Sequence, residues 1–294
     1  MNVYLNGAFM PLAEARIPVL DRGFIFGDGV YELIPVYSRQ PFRLDQHLHR
    51  LQTSLDGIHL HNPHGADQWR DLIGQLIEQQ VFEDQSVYIQ ITRGAPGPGQ
   101  SLRDQVMPAE TIPTVFMFAQ PLVTASPSQK AAGVCAVTAV DNRWQRCNLK
   151  ATSLLANILL RQDAVDAACA ETVMLRDGWL TEGTASNIFV VKHGRLLAPP
   201  PSNLMLTGVT YDLVLELAAQ HNMPHEVRAI SEAELRDADE VWMTSSTKEI
   251  MPIVKLDGVA VGEGVPGPLA RQMDTLYQTF KQHVMRACVK KKPC

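Results

Sequence analysis

Long apolar runs are missing from this sequence of 294 residues. None approaches the ~18 consecutive residues that a membrane span requires. The start, Met1-Asn2-Val3-Tyr4-Leu5-Asn6-Gly7, has neither a basic region nor a long apolar one, so no signal peptide is expected. Cysteine is scarce: five residues, at 135, 147, 169, 288 and 294, with no CxxC pair. That excludes a disulfide scaffold and a zinc ribbon, and the expectation is reduced thiols in a cytoplasm. Positive charge is also short. Lys and Arg number 26 against 31 Asp and Glu, a net charge of -5, which leaves no large basic face for nucleic acid. The basic tail Lys290-Lys291-Lys292-Pro293-Cys294 lacks the cysteine placement of a prenylation box and reads as a solvated end. Apolar residues make up 46% and charged residues 19%, so the chain is not a disordered one. Its length suits two domains, and a chain of this size folds without disulfides or a structural metal.

Several catalytic signatures are absent: GxSxG, the GxxxxGK[ST] loop, HExxH and GxGxxG. Histidines 47, 49, 59, 61 and 64 crowd together, but on a helix 47 and 49 point roughly 200° apart, so no metal site is expected.

What is present is an alternation of strand-like and helix-like segments. Val3 to Met10 reads as a hairpin turning at Asn6-Gly7. Strands are expected at 30–37, 86–93 and 114–119, and helices at 44–58 and 69–80, the first from Leu44, Leu48, Leu51 and Leu55. The text GAPGPGQ at 94–100 is a loop. QPLVTASPSQK at 120–130 reads as a linker. Beyond it a buried strand is expected at 133–140 and a strong helix at 152–170, with Leu154, Leu155, Ile158, Leu159 and Val165 on its apolar side. Further strands fall at 171–176, 183–191 and 241–243, and helices at 211–220 and 272–288. The organisation is α/β (α+β): a smaller domain at 1–120, a linker at 121–130 and a larger domain at 131–294.

Four places could carry chemistry. Lys150 lies between a strand and a helix N-terminus, near Arg143 and Arg146, where its ammonium form is disfavoured; this is a setting for an amine nucleophile, as a solvated loop lysine is not. Leu206-Thr207-Gly208-Val209-Thr210 runs into a helix, with Gly208 open to close approach and Thr210 suited to the N-cap, a place for phosphate. Thr244-Ser245-Ser246-Thr247 puts four hydroxyls on one turn. Glu182 precedes a strand. Alone it reads as a turn residue; beside a pyridoxal ring it would keep the ring nitrogen protonated.

Six blocks carry a resemblance: DRGFIFGDGVYE at 21–32, RLDQHLHRL at 43–51, RWQRCNLKATSLLAN at 143–157, LTEGTASNIFVV at 180–191, LTGVTYDLV at 206–214 and TSSTKEIMPI at 244–253. In order and spacing they resemble the fold-type IV pyridoxal-phosphate enzymes, over nearly the whole length. The RWQRCNLK text is most similar to the D-amino-acid aminotransferase branch. The resemblance implies pyridoxal 5'-phosphate in Schiff-base linkage to Lys150, with Glu182 at the ring nitrogen. It implies Arg50, Gly208, Val209, Thr210, Ser245 and Ser246 at the phosphate, Leu206 on the ring and Tyr31 on the substrate side. It also implies a homodimer whose active sites are shared between subunits, acting on small amino acids and 2-oxo acids, with no nucleic-acid or membrane partner and no metal. The expected reaction is transamination between D-alanine and 2-oxoglutarate. Aminodeoxychorismate lyase and a branched-chain or R-amine transaminase are the alternatives.

Three departures stand out. The family's carboxylate-binding Arg-x-His pair aligns with Arg103 and Gln105 if the 94–102 loop is longer, and with Pro98 and Gln100 if it is not. Tyr211 stands where the family has Arg, and Ser246 where Thr is common.

Overall fold

The computed structural model describes residues 1–108 and 110–286. The expected cytosolic features of Cys288, Cys294 and the basic tail, and the end of the helix expected at 272–288, lie outside the described residues. The described residues divide into two compact units: residues 1–122 with Leu149–Leu154, and residues 123–148 with 155–286. Sequence reasoning assigns all of 131–294, Lys150 included, to the second domain. By its contacts the segment carrying Lys150 instead belongs with the first.

Unit one contains β1 (Asn2–Leu5), β2 (Ala8–Pro11), α1 (Arg22–Phe26), β3 (Gly29–Tyr37), β4 (Gln40–Pro41), α2 (Leu44–Gly57), α3 (Ala66–Glu78), β5 (Gln85–Thr92) and β6 (Thr114–Pro121). The strands form one antiparallel sheet in the order β2-β1-β6-β5-β3-β4. Asn6 and Gly7 turn the first hairpin at φ 47° and 98°, the left-handed region that this pair tolerates. Alternation along β3 buries Val30, Ile34 and Val36 against Leu48, Leu51 and Leu55 of α2 and Ile73 and Leu76 of α3, making the unit's core. The same alternation buries Glu32 and leaves Tyr31 and Leu33 partly open.

Unit two contains α4 (Pro127–Ala132), β7 (Val134–Val140), α5 (Leu155–Asp166), β8 (Glu171–Arg176), β9 (Trp179–Gly183), β10 (Asn187–Lys192), β11 (Arg195–Ala198), α6 (Val209–Gln220), β12 (His225–Val227), α7 (Glu232–Arg236), β13 (Glu240–Ser245), β14 (Glu249–Leu256), β15 (Val259–Ala260) and α8 (Pro268–Phe280). A π turn, Lys281–Met285, follows α8. The sheet runs β12-β11-β10-β13-β14-β7-β8-β9, with β15 on β14, and is mixed: β11–β12, β14–β7 and β7–β8 are parallel. Its core joins Val173, Ile188, Val190, Val241, Met243 and Ile253.

Several elements depart from the pattern-based reading. The linker holds a helix, α4, nucleated by a capping box between Ser126 and Gln129 with Pro127 in its first turn. β7 is mostly half-exposed rather than buried. The strong helix starts at Leu155, not 152, because residues 149–152 are held extended along β3. Its supposed core stripe, Leu155, Ile158, Leu159 and Val165, faces solvent; Leu160 and Ala164 are buried instead. The 183–191 segment splits into β9 and β10. Cys135 and Cys169 pair as a disulfide, contrary to the expected free thiols, because the start of β7 and the end of the α5–β8 connection bring their Cα atoms to 4.9 Å. Cys147 is free and buried. No helix among the described residues is long and apolar enough to cross a membrane.

Candidate active site

In unit one Lys150 is fixed by its own backbone. Its carbonyl accepts from Tyr31 N at 2.9 Å, its N–H donates to Ser54 Oγ at 3.2 Å, and Thr152 N donates to Gly29 O at 3.0 Å. Ala151 bridges Val30. The segment therefore lies along β3 and sets the Lys150 ammonium 4.4 Å from the centre of the Tyr31 ring, a cation–π contact. Tyr31 in turn stacks on Tyr88, centroids 5.6 Å apart.

Below this face Glu32 is buried and holds Arg50 in a fork: Nε to Oε2 at 2.9 Å and Nη2 to Oε1 at 2.5 Å. His47 Nδ1 lies 3.1 Å from Oε1. His47 and Arg50 share one face of α2 because they are three residues apart. Burial works against the Glu32 charge, but Arg50 and then His47 outweigh it and hold the carboxyl well below its usual range. Burial also lowers His47, against the pull of Glu32, so the ring is neutral. Its Nδ1–H must then donate to the carboxylate, which leaves Nε2 as a buried acceptor with no partner among the described residues.

Arg22 and Arg93 close on Asp28, each with Nε at 2.8 Å. Arg22 Nη1 also donates to Asp104 O at 2.6 Å, which ties down the loop carrying Arg103 and Gln105. Both of those side chains are exposed. The Arg103 guanidinium lies 5.6 Å over the Phe26 ring and makes no hydrogen bond to Tyr31 or Lys150 among the described residues.

In unit two Glu182, buried on β9, accepts from Arg143 Nη1 at 2.7 Å and from Leu206 N at 3.1 Å. Burial raises its pKa to about 7, with Arg143 opposing. Asn187 clamps the next stretch: its Nδ2 donates to Leu206 O at 2.8 Å and its Oδ1 accepts from Gly208 N at 3.0 Å. A Cβ on Gly208 would stand 2.5 Å from that Oδ1. Gly208, not Thr210, is the N-cap of α6, and no side chain caps this end, so the helix N-terminus, with Val209 and Thr210 in its first turn, presents its positive dipole end. Ser245 ends β13 and accepts from Lys248 N at 3.1 Å; Ser246 follows it in the turn. The buried Thr244 hydroxyl lacks a partner among the described residues. Tyr211 is not a lost phosphate contact: it is buried, lies against Phe189 with centroids 5.1 Å apart, and donates to Pro199 O at 2.8 Å.

The sequence matches the family of class IV amino-transferases over residues 29–256. The chain belongs to the class IV aminotransferases. A D-alanine aminotransferase of Bacillus licheniformis is 36% identical over 278 residues, covering 95% of this chain and 96% of that one. A branched-chain amino acid aminotransferase from T.th., solved with pyridoxamine 5'-phosphate, superposes with a TM-score of 0.87 at 25% identity, covering 97% and 94% of the two chains. The Escherichia coli branched-chain amino acid aminotransferase gives 0.86 at 25%, covering 95% and 93%.

This class IV aminotransferase is a pyridoxal-phosphate enzyme, and its residues fit that cofactor. The uncapped end of α6 and the spare Thr244 hydroxyl suit a phosphate, and the buried Glu182 suits a basic ring nitrogen. The described residues contain no cluster of three or more His, Cys, Asp or Glu that could hold a metal.

Sequence reasoning gives no role to Glu32, Asp141 or Asn187, which build these surroundings, and names His47 only among the crowded histidines and Arg143 only as a neighbour of Lys150. Glu32 had a readable signal, because a carboxylate at a core position of an alternating strand needs a charged partner. Asn187 had none beyond its place in the β9–β10 text.

Proposed function

We propose that this aminotransferase moves an amino group between a D-amino acid, D-alanine first, and a 2-oxo acid, 2-oxoglutarate first. The observation that carries the reading is the 36% identity to a D-alanine aminotransferase across 95% of the chain. The support from geometry is Lys150, whose amine is held over Tyr31 by backbone pairing rather than left in a free loop.

Pyridoxal phosphate supplies an electron sink for the pair left behind when the substrate Cα gives up its proton. In this reading Lys150 would hold the cofactor, and its amine would move the proton at the substrate Cα. Glu182 would pair with the ring nitrogen, and Leu206 would pack on the ring. Arg50, the N–H groups of Val209 and Thr210 beside Gly208, and the Ser245 and Ser246 hydroxyls hold the phosphate. Tyr31 lines the substrate side. Arg103 takes the substrate carboxylate in a bidentate grip, with Gln105 beside it, and so decides which face of Cα is presented.

The reading includes a homodimer. It is supported by the exposed apolar stripe on α5, where Leu155 is 70% exposed. Light scattering after gel filtration checks it; a monomer at working concentration counts against it. The reading also places the protein in the cytoplasm. Subcellular fractionation checks it: recovery of the enzyme with a cytosolic marker supports the placement, and recovery with an exported marker overturns it.

The deciding experiment is the visible spectrum of the purified enzyme with D-alanine added, followed by pyruvate release with 2-oxoglutarate. Conversion of the bound cofactor to its amine form by D-alanine supports the proposal. A yellow protein that ignores D-alanine but responds to L-leucine or L-valine replaces it with the branched-chain reading, which the structural neighbours favour. A response only to an R-amine, or pyruvate elimination from aminodeoxychorismate, would transfer it to those readings.

A further inference from the structure

Arg143 is buried, and every arm of its guanidinium is engaged. Nε and Nη2 grip the two oxygens of Asp141, each at 2.9 Å, and Nη1 reaches Glu182 Oε1 at 2.7 Å. Nη2 also donates to Leu204 O at 3.2 Å, two residues before Leu206. Asp141 is itself held from the other side, by Arg176 at 3.0 Å and Thr181 Oγ1 at 3.0 Å. Arg176 Nη2 donates to the Arg143 carbonyl at 2.8 Å. One cation therefore spans the end of β7, the middle of β9 and the strand of chain leading to Leu206. The charged and titratable groups bearing on Glu182 are Arg143, Asp141 and the buried Cys147 thiol, with Arg176 one step further out on Asp141. The two acids and two arginines cancel, so Glu182 is neither flooded with positive charge nor left as a lone buried anion.

We propose that Arg143 is the positioning residue that keeps Glu182 ionised and aimed at the ring nitrogen of pyridoxal phosphate. The inference rests on the functional reading above, which puts Glu182 at that nitrogen. One proton is shared between the ring nitrogen and a Glu182 oxygen, and it can sit on either. With the proton on nitrogen the pair is cation and carboxylate; with it on oxygen both are neutral. Burial favours the neutral arrangement. A charged donor on Oε1 favours the carboxylate, because a hydrogen bond to the ionised form stabilises that form. Arg143 supplies that donor, and Asp141 fixes its direction. No net proton is gained or lost when Arg143 is replaced; the proton moves from nitrogen to oxygen. The ring is then a weaker electron sink.

The test is ring-¹⁵N-labelled pyridoxal phosphate bound to the holoenzyme and its Arg143→Met and Arg143→Gln variants, read by nitrogen NMR at neutral pH. Glu182→Gln serves as the reference for a carboxylate-free site. Wild type should show a protonated nitrogen. The two uncharged variants should move to the unprotonated position, as Glu182→Gln does, and adding Glu182→Gln to Arg143→Gln should change nothing further. Arg143→Lys should fall between, since a single ammonium does not reproduce the two-carboxylate fork. A protonated nitrogen in Arg143→Gln and Arg143→Met overturns the proposal while leaving the functional reading intact. Should neither uncharged variant fold, Arg143→Lys decides, and a wild-type resonance in it overturns the proposal. A wild-type protein that takes up no pyridoxal phosphate overturns the functional reading and the proposal with it.

Discussion

Glu32 shows how a single side chain can be costly in one place and useful in another. A carboxylate on the core face of β3 is tolerated only because Arg50 and His47 meet it there. Removing it as Glu32→Ala leaves Arg50 half-buried without its main partner, and the expected loss is about 3–5 kcal/mol of stability, read from urea midpoints. The same variant should bind pyridoxal phosphate more weakly, because the fork fixes the guanidinium assigned to the phosphate. Unchanged affinity by fluorescence titration would count against that assignment. At this scale the sequence was half legible. Lys150, Glu182 and the 206–210 text announced themselves by type and neighbourhood. The pairing of Arg143 with Asp141 did not, because two residues of opposite charge two positions apart read as solvated surface until the fold buries them.

Periodicity named most elements, since spacing along α2 and α3 reports directly on which face is covered. It misread α5, because apolar spacing predicts a covered face, and here the described residues leave that face exposed and bury Leu160 and Ala164 instead. The linker concealed α4 for a different reason: six residues are too few for a period, and only the pairing of Ser126 with Gln129 marks the helix. Replacing Ser126 with Ala should cost ~0.5–2 kcal/mol, measured by thermal melting. The entry to α6 depends on a side chain from β10. Asn187→Ala leaves Leu206 O and Gly208 N without their partner, and about 1–3 kcal/mol should be lost. Cofactor should then dissociate faster, by stopped-flow exchange; an unchanged rate would separate the Asn187 clamp from the phosphate site.

For the molecule as a whole, buried acids in the two units pull stability in opposite directions as pH changes. Glu32 and His47 both have lowered values in the fold. Their contributions to unit one are complete above about 6.5, the ordinary value for His47, and are lost as pH falls, first through the histidine and then below 4.5 through the carboxylate. Glu182 has the reverse sign: its contribution is full below 4.5 and is lost as pH rises through about 7. Glu182 works against the fall over the same range, so the histidine is read by difference: as pH drops from about 6.5, the melting temperature of the cofactor-free wild type should change less favourably than that of His47→Gln. The same change in His47→Gln would exclude the histidine as its source.

The chain's path past Lys150 also bears on how the protein is made. Residues 1–122 are the bulk of unit one, and β5 pairs one edge of β3 at Gly29–Tyr31, yet the opposite edge of that stretch finds its partner only in residues 149–152. On the ribosome that edge stays unpaired while about thirty further residues are synthesised, seconds at ordinary elongation rates. An open edge strand is a template for wrong pairing. A nascent chain stalled after residue 122 should be more easily cleaved by protease, and more prone to associate, than one stalled far enough on for residue 154 to have left the tunnel. Lys150 would then reach its place in the act that closes the first sheet.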